Sequence, residues 1–372
     1  MKIFYYFREL DTPMYWWQRT HWISELESNG HEVITFNPLD YSSIEEANEK
    51  CLERIRNTKD VDLFLTCVDQ DIIYRDTILA ISKMGIPTCL ITWDNLELPY
   101  KHRKIATAFD LVWITSWETK YLFEKWGCKN IIFQTYAANP IAFKPNWGES
   151  IQKIGFIGSP YGSRVNKLND LLENEVPCCV YSNSLFQKGY NTSQGRKQKF
   201  EITDVLVKAS RYMRFPIGRK VFYSTIKNKI YKHAVLQDSS LYLQKEHSVS
   251  DEEMMRLYSN FTLSLNITEL RDTYILKNPI HKIHLRAFEI PMCGGLQFAS
   301  YNEELASYFA EDKEIVLYRS KEEMLDKAKF YLDSSHSNQV MDMKVAARKR
   351  AENEHTWNIR FTKVFENLGL KV

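Results

Sequence analysis

The sequence predicts an α/β protein built from two doubly wound parallel sheets. Short apolar runs alternate with amphipathic segments through the first half of the chain, and a second series of the same kind begins near residue 153. At 372 residues the chain also exceeds the size of about 250–300 residues at which single hydrophobic cores stop growing. We therefore expect two domains, over residues 1–147 and 148–355, and a separate C-terminal helix over residues 356–372.

The strands expected in the first domain are short, apolar and rich in β-branched or aromatic residues, as strands buried on both faces should be. They lie at residues 2–7, 32–36, 61–68, 88–93, 111–117 and 131–136. Helices are expected over residues 16–27, with Gly30 as a stop signal, and over residues 42–56, which begin Ser-Ser-Ile-Glu. A proline-bearing stretch over residues 139–148 breaks the pattern and marks the domain boundary.

The second domain opens with a strand that runs into a turn with glycines at 155, 158 and 162, followed by a helix over residues 165–173. This glycine spacing is not the dinucleotide fingerprint, and no acidic residue is well placed to bind a ribose. Arg164, in the first helical turn, is a candidate anion contact, although most such arginines are simply solvated. Further strands are expected at residues 178–181, 261–267, 296–299 and 314–318. Ligands then belong at the carboxyl ends of the strands.

A buried helix with a charged pair is expected shortly before the end of this series. Apolar residues recur at roughly helical spacing over residues 280–292, which predicts a largely buried helix. Arg286 and Glu289 lie one turn apart on it, and buried charges need partners. They could pair with each other, or Glu289 could accept hydrogen bonds from sugar or ribose hydroxyl groups.

A glycine turn and a new helix start follow this helix. Gly294 and Gly295 would allow the backbone to approach a ligand closely. After the short strand, Asn302 is expected to cap a further helix. Unpaired N–H groups at a helix start suit phosphate oxygens, so this region predicts a phosphate-binding site.

Composition excludes several other classes of protein. The net formal charge of +2 gives no argument for nucleic-acid binding, and no run approaches the ~18 apolar residues of a membrane span. Arg8 and Glu9 interrupt the N-terminus before a signal-peptide core can form. The seven cysteines lack metal-ligand spacing, so we expect reduced, buried thiols in a cytoplasmic enzyme.

Several motifs over roughly residues 105–370 resemble a known enzyme family. The run Arg286-Ala-Phe-Glu-Ile-Pro-Met-Cys-Gly-Gly, with Tyr301-Asn-Glu-Glu-Leu and Lys321-Glu-Glu-Met-Leu after it, is similar to the C-terminal domain of CgeB-like glycosyltransferases. These are a branch of the GT-B fold related to the large group-1 glycosyltransferase family. Earlier motifs match in order: Phe109-Asp-Leu-Val-Trp-Ile-Thr, Phe143-Lys-Pro, Gly155-Phe-Ile-Gly-Ser-Pro-Tyr-Gly-Ser-Arg and Ser250-Asp-Glu-Glu-Met-Met-Arg-Leu-Tyr.

The resemblance implies a GT-B fold, in which two Rossmann-like domains face a cleft and the C-terminal helix packs back on the first domain. It implies transfer of a sugar from a UDP- or GDP-linked donor to a hydroxyl group of a glycan or lipid-linked acceptor, with retention of configuration, in bacterial surface polysaccharide or envelope glycan synthesis. No cofactor or metal ion is expected, because basic side chains and helix dipoles stabilise the leaving diphosphate in such enzymes.

The resemblance also implies roles for individual residues. Glu289 corresponds to the second glutamate of the group-1 paired-glutamate motif, which holds the nucleotide ribose, and His281, eight residues earlier, replaces the first glutamate. His281 could equally be a satisfied helix histidine. The remaining residues expected to face the donor or its diphosphate are Gly158, Arg164, Arg286, Gly294, Gly295 and Asn302.

The acceptor side is predicted from the ends of strands in the first domain. The loop after the first strand carries the candidates Glu9, Tyr15, Trp16 and His21. Its aromatic residues could stack on a sugar ring or simply pack in a core. Asp94, at the end of the fourth strand, is the best-placed carboxylate for the acceptor hydroxyl, as a base if configuration is inverted and only for orientation if it is retained.

An acidic pair after the third strand, Asp69 and Asp71, superficially resembles the metal site of another glycosyltransferase fold. Acidic residues after a strand more often form a turn or a cap. We therefore expect no metal site there.

Residues 188–232 form an insertion that is much more basic than the rest of the chain. They carry twelve lysines and arginines against two acids, a local net charge of +10. Near-helical spacing is kept by five apolar residues, Ile217, Val221, Phe222, Ile226 and Ile230. A basic amphipathic helix suits an anionic membrane surface, so residues 203–232 are expected to bind the inner face of the plasma membrane. The alternative is a solvated helix lying over the second domain, and nucleic-acid binding is disfavoured.

Three functions fit the whole chain. The first is a nucleotide-sugar glycosyltransferase. The second is an epimerase, phosphorylase or other sugar-phosphate enzyme of the same shape, which would turn over without an acceptor or yield sugar phosphate. The third is a catalytically silent protein that binds a nucleotide sugar without releasing nucleotide.

Overall fold

The computed structural model describes residues 1–10, 13–187, 207, 209–231 and 233–371. The chain divides into two compact units, one of residues 1–142 with 355–372 and one of residues 143–354. In the described part of the chain, each unit contains a six-stranded sheet in which all neighbouring strands are parallel. The predicted α/β class with two parallel sheets is therefore confirmed.

The first unit has the strand order β2-β1-β3-β4-β5-β6. Its strands are β1 (Lys2–Tyr6), β2 (Glu32–Phe36), β3 (Leu63–Thr66), β4 (Thr88–Thr92), β5 (Leu111–Ile114) and β6 (Ile131–Phe133). Its helices before residue 143 are α1 (Pro13–Gln18), α2 (Ser24–Ser28), α3 (Ile44–Asn57), α4 (Arg75–Lys83) and α5 (Lys120–Trp126). The central strands β3, β4 and β5 are buried along their whole length, which explains their continuous apolar runs.

The second unit has the strand order β12-β11-β10-β7-β8-β9. Its strands are β7 (Ile151–Ile157), β8 (Cys178–Tyr181), β9 (Leu243–Glu246), β10 (Phe261–Asn266), β11 (Gln297–Ser300) and β12 (Val316–Tyr318). Among the helices in its described residues are α6 (Ser163–Leu172), α7 (Pro216–Asn228), α8 (Asp251–Asn260), α9 (Arg286–Met292), α10 (Glu303–Tyr308), α11 (Lys321–Leu332) and α12 (Ser337–Glu354). Edge strand β9, which reads Leu-Gln-Lys-Glu, was not predicted because it lacks an apolar run.

The last helix, α13 (Trp357–Asn367), belongs to the first unit. Trp357 is fully buried there, with its ring 5.8 Å from Trp93 and 6.4 Å from Trp113. The carboxylate of Glu25 in α2 accepts hydrogen bonds from the backbone N–H groups of Trp357 (3.2 Å) and Asn358 (2.8 Å). Both N–H groups belong to the first turn of α13 and have no partner within that helix, so Glu25 helps to fix its start.

Two predicted helices differ from the structure. The helix expected over residues 16–27 is interrupted by a π-helical turn, Arg19–Ile23, between α1 and α2. The helix expected over residues 280–292 begins only at Arg286. Before it, His281 forms a β-bridge with Glu269, and the backbone N–H of Lys282 donates to the carbonyl of Thr268. The apolar spacing there reflects burial of a bridged loop and not a helical period.

All seven cysteines are free thiols, as expected, although Cys67 and Cys128 are only half-buried. None of the helices in the described ranges is both long enough and apolar enough to cross a membrane.

Candidate functional site

The strand order of the second unit points to a ligand site beside β7 and β10. The chain runs from β7 through β8 to β9 on one side, and from β10 through β11 to β12 on the other. In open α/β sheets, ligands bind outside the carboxyl ends of the strands at such a reversal point. The residues to consider are therefore those that follow Ile157 of β7 and Asn266 of β10.

Three of the predicted donor residues converge at the end of β7. Gly158 has a φ of +141°, and a Cβ atom there would lie 3.1 Å from Nη2 of Arg286 and 4.0 Å from Nη1 of Arg164. A side chain at this position would therefore be strained and would crowd both guanidinium groups. The structure thus brings Gly158, Arg164 and Arg286 together, as the sequence suggested, and we call these three residues the arginine site.

The arginine site is held by hydrogen bonds to its surroundings. Arg286 donates from Nη2 to the carbonyl of Ile157 (2.8 Å) and from Nε to the hydroxyl of Tyr258 (3.3 Å). Nη1 of Arg164 donates to the carbonyl of Ser159 (2.9 Å). Burial raises the pKa of Tyr258 to about 12, an effect that the nearby Arg286 opposes. A guanidinium has five N–H donors, so these contacts orient Arg286 and leave capacity for an anion.

Glu289 lies one helical turn after Arg286 in α9 and is half-buried. Its charge helps to raise the pKa of the Cys293 thiol, after the larger effect of burial. It also acts electrostatically on Tyr258 and Arg286, which places it beside the arginine site.

A second polar group follows β10, and we call Thr268, Glu269, His281, Ser300 and Asn302 the Glu269 cluster. Thr268 Oγ1 lies 2.8 Å from Nδ1 of His281, and Ser300 Oγ donates to Oε1 of Glu269 at 3.0 Å. Asn302 caps α10 by accepting from the N–H of Leu305 (2.8 Å), and its Nδ2 lies 3.5 Å from Thr268 Oγ1. The cap expected at Asn302 is therefore present, but His281 is not on a helix.

The Glu269 cluster favours a neutral histidine. Burial lowers the pKa of the His281 imidazole. Glu269 opposes this shift, and Lys167 adds to it. Sequence reasoning missed Glu269 itself, because a single acid three residues after a strand carries no pattern. The only available signal was its position at the carboxyl end of β10.

The prediction that Gly294 and Gly295 face a phosphate is wrong. Both glycines are buried and precede β11, so they lie at the edge of the sheet opposite to Asn302. A Cβ at Gly294 would lie 2.7 Å from Nε1 of Trp147, and one at Gly295 would lie 2.6 Å from the carbonyl of Tyr258. These glycines permit close packing inside the unit.

In the first unit, two residues predicted for the acceptor side, His21 and Glu9, contact other side chains of the protein. His21 is only 2% exposed and accepts a hydrogen bond from Nε1 of Trp357 (3.2 Å), so its predicted role at an acceptor site is wrong. The carboxylate of Glu9 forms an ion pair with Arg19, in which Nη2 and Oε2 are 2.5 Å apart. Glu9 follows β1, at the reversal point between β1 and β3.

The aromatic residues near His21 differ in exposure. Trp17 lies 5.3 Å from Trp93 and 6.0 Å from Trp357, ring centre to ring centre, so it packs in the aromatic core. Trp16 is 47% exposed and remains accessible to a ligand. The side chain of Tyr15 lies outside the described residues.

Asp94 is exposed at the end of β4, as predicted. It acts electrostatically on His102, a residue that sequence reasoning missed. Burial lowers the pKa of His102 to about 4. The charges of Asp69 and Asp94 oppose this shift, and the charge of Lys101 adds to it. His102 is therefore a neutral imidazole beside two carboxylates at the carboxyl ends of β3 and β4.

The acidic pair after β3 forms a turn. Oδ1 of Asp69 accepts from the N–H of Asp71 (3.0 Å), and Oδ2 of Asp69 lies 3.6 Å from Nζ of Lys101. Within the described ranges, no group of three or more His, Cys, Asp or Glu side chains could hold a metal ion.

The described part of the insertion includes α7, which packs on the second unit. Asn228 Nδ2 donates to Oδ1 of Asp272 (3.0 Å), and Val221 is buried. The apolar stripe expected on this helix is therefore split, because Val221 faces inward while Ile226 and Ile230 are 51% and 87% exposed.

Comparisons with known proteins agree with this architecture. Residues 226–366 match a family model described as glycosyl transferase-like. The match includes both His281 and the Arg286–Glu289 pair. A search of curated protein sequences gave no match.

Solved structures of GT-B glycosyltransferases share the fold over nearly the whole chain. Sucrose-phosphate synthase from Thermosynechococcus elongatus has a TM-score of 0.55 at 10% identity, covering 99% of both chains. HepE from Anabaena, solved with UDP-glucose, has a TM-score of 0.54 at 11% identity, also covering 99% of both chains. An alpha-glucosyltransferase solved with UDP-glucose and DNA has a TM-score of 0.59 at 12% identity, covering 98% of both chains.

The chain thus has the GT-B fold and is similar to glycosyltransferases of the group-1 kind, which confirms that part of the predicted resemblance. The narrower likeness to CgeB-like enzymes stays a prediction.

Proposed function

We propose that this protein is a glycosyltransferase that takes its sugar from a nucleoside diphosphate sugar. The observation that carries the proposal is the arginine site: two guanidinium groups meet at Gly158, outside the carboxyl ends of β7 and β10. That place in the sheet and that charge suit a diphosphate. The glycosyl transferase-like match over residues 226–366 supports the same assignment.

In this proposal, each residue of the site has a separate task. Arg286 and Arg164 bind the diphosphate and stabilise the negative charge that develops as the bond from the sugar C1 to the phosphate oxygen breaks. Glu289 accepts hydrogen bonds from the ribose. The acceptor oxygen forms the new bond to C1 and loses its proton to the departing phosphate, with configuration retained. Asp94 then only orients the acceptor.

Metal independence is part of the same proposal. Arginines supply fixed positive charge where the leaving diphosphate needs it, so no divalent cation is required for charge neutralisation. The donor is expected to be linked to UDP or GDP, and UDP is the first choice because two of the neighbouring structures were solved with UDP-glucose.

Nucleotide release with and without an acceptor tests the proposed function. The purified protein is incubated with UDP-glucose, UDP-N-acetylglucosamine or GDP-mannose and a mixture of bacterial glycans and lipid-linked sugars, and the released nucleoside diphosphate and glycosylated product are measured. We expect release that depends on the acceptor mixture. Conversion of the donor without any acceptor would favour an epimerase, sugar phosphate as product would favour a phosphorylase, and binding without any release would favour a silent binding protein.

We also propose that the insertion brings the enzyme to the inner face of a membrane, where a lipid-linked acceptor of an envelope glycan would lie. On α7 and just beyond it, Tyr223, Ile226 and Ile230 are 59%, 51% and 87% exposed. Tyr223 and Ile226 stand at positions i and i+3 of α7 and therefore share one helical face, and Ile230 follows two residues after the end of the helix. Exposed basic residues accompany them, namely Arg211, Arg214, Arg219, Lys220 and Lys229.

Exposed apolar side chains next to basic ones favour binding of this surface to an anionic bilayer. Each basic side chain near an anionic surface is worth about 1 kcal/mol, and exposed aromatic and aliphatic side chains can insert at the headgroup boundary. The binding should weaken with salt, because charges are screened over about 8–10 Å at physiological ionic strength.

Liposome flotation tests the membrane proposal with two variants of equal charge change. Arg211/Arg214/Arg219/Lys220→Glu alters the surface, whereas Arg54/Arg56/Lys59/Lys83→Glu changes exposed residues of the first unit. We expect wild type and the second variant to float with anionic liposomes at low salt and the first variant to remain in solution. If the two variants float to the same extent, or if wild type does not float, the membrane proposal is wrong and α7 is a solvated helix that covers its unit.

A further inference from the structure

The Glu269 cluster contains a buried acceptor atom that the protein itself does not satisfy. Oε1 of Glu269 accepts from Ser300 at 3.0 Å, but Oε2 is buried and has no hydrogen-bond partner among the described residues. Leaving a buried carboxylate oxygen without a hydrogen-bond partner destabilises the folded state. Such an atom at the ligand-binding edge of a sheet is a candidate contact for a ligand.

The Glu269 cluster lies at the same edge of the sheet as the arginine site. Thr268 and Glu269 follow β10, Ser300 ends β11, and the side chain of Lys167 lies over the ring of Tyr318 at the end of β12. All of them therefore lie at the carboxyl edge of the sheet, as Gly158 does. The order of strands places the cluster on the β11 and β12 side of the arginine site.

The chemistry of the cluster favours hydroxyl groups over phosphate. A carboxylate accepts hydrogen bonds and repels a second anion, so Oε2 of Glu269 suits a donor that carries no negative charge, such as a hydroxyl group. Thr268 occupies Nδ1 of His281, which leaves Nε2 as the ring nitrogen that can reach a ligand. A carboxylate beside a neutral imidazole suits a polyhydroxyl group, since each sugar hydroxyl both donates and accepts.

We propose that Glu269 is a sugar-binding residue, which accepts a hydrogen bond from a hydroxyl group of the donor sugar through Oε2, with His281 beside it as a second polar contact. The proposal rests on the proposed function, because it requires a sugar joined to the diphosphate that the arginine site binds. It makes Glu269 a determinant of donor specificity. Loss of one hydrogen bond to a charged group changes affinity by about tenfold or more.

Calorimetry with paired ligands tests this role. The probes are UDP with UDP-glucose and GDP with GDP-mannose, and the pair that wild type binds more tightly is used for the variants. We expect Glu269→Gln to bind the free nucleoside diphosphate as wild type does and to bind the nucleotide sugar at least tenfold more weakly. Glu252→Gln, an exposed acid in the first turn of α8, is the matched control and should change neither affinity.

A purely structural role for Glu269 would give a different result. It would weaken both ligands together or leave both unchanged, and either outcome overturns the proposal while the proposed function stands. A wild type that binds neither pair overturns both.

The affinities of deoxy analogues of the donor sugar provide a second test, which stays informative if part of the Glu269→Gln protein is unfolded. If Glu269 binds one hydroxyl, one of the 2-, 3-, 4- and 6-deoxy analogues of the bound donor should show no difference between wild type and Glu269→Gln. A difference of the same size for every analogue would contradict a sugar contact.

Discussion

The carboxyl group of Glu25 should make the stability of the first unit depend on pH in a defined direction. It is 1% exposed and accepts from two N–H groups of α13. Burial raises its pKa from the ordinary value of 4.5 to about 7, despite these N–H donors. The folded state therefore binds a proton more tightly than the unfolded state, so the stabilising effect is complete below pH 4.5 and is lost as the pH rises through 7.

The magnitude follows from the two pKa values. Each unit of difference is worth about 1.4 kcal/mol, and between pH 5 and pH 8 the linkage amounts to about 2.5 kcal/mol. In Glu25→Gln the amide keeps an oxygen that can accept from α13 but does not titrate. The free energy of unfolding of wild type, minus that of Glu25→Gln, should therefore fall by about 2.5 kcal/mol from pH 5 to pH 8.

Urea unfolding of both proteins at several pH values, followed by tryptophan fluorescence, provides the measurement. Trp357 lies in the first turn of α13 and is one of the nine tryptophans that contribute to the signal. The difference between the two proteins cancels the titration of all other groups. A difference that stays flat, or that rises with pH, would refute the reasoning, because a rising difference is the sign of a carboxylate stabilised in its ionised form.

Three further outcomes are expected. Arg286→Met should weaken binding of nucleoside diphosphate at least tenfold, which calorimetry measures. It should also lower the free energy of unfolding by about 1–3 kcal/mol, because the carbonyl of Ile157 and the hydroxyl of Tyr258 lose their donor, and urea unfolding measures this change. Turnover should persist in EDTA, and its loss with recovery on adding manganese would contradict a metal-independent reaction. Asp94→Asn should lower kcat by less than about tenfold if configuration is retained, whereas a loss of 10² to 10⁴ would identify a general base.

The fold could be predicted because its signals are local. Strands β3, β4 and β5 are buried on both faces, and continuous apolar runs reveal such strands without knowledge of the partners. The cap at Asn302 was likewise visible, because an N-cap depends only on neighbouring residues.

The site residues that were wrongly predicted have environments set by distant parts of the chain. His21 is buried by Trp357, which lies far along the sequence, and no local pattern shows that contact. Gly294 and Gly295 resemble a ligand-binding turn, yet Trp147 and the backbone of Tyr258 fill the space beside them.

The candidate site was only partly visible for the same reason. Arg164 and Arg286 could be chosen from motifs, but their meeting at Gly158 depends on the pairing of β7 with β10. Glu269 became a candidate only when the bridge to His281 and the unpaired Oε2 were known.

The central claim is that the second unit binds a nucleoside diphosphate through the arginine site and Glu289. Calorimetric titration of UDP and GDP into wild type and Glu289→Ala tests it most directly. We expect wild type to bind at least one of them and Glu289→Ala to bind it more weakly by about 1.5–3 kcal/mol, the value of a hydrogen bond to a charged group, with free glucose and uracil bound by neither protein. Equal affinity of a folded Glu289→Ala variant, or no binding of either nucleotide by wild type, would contradict the claim.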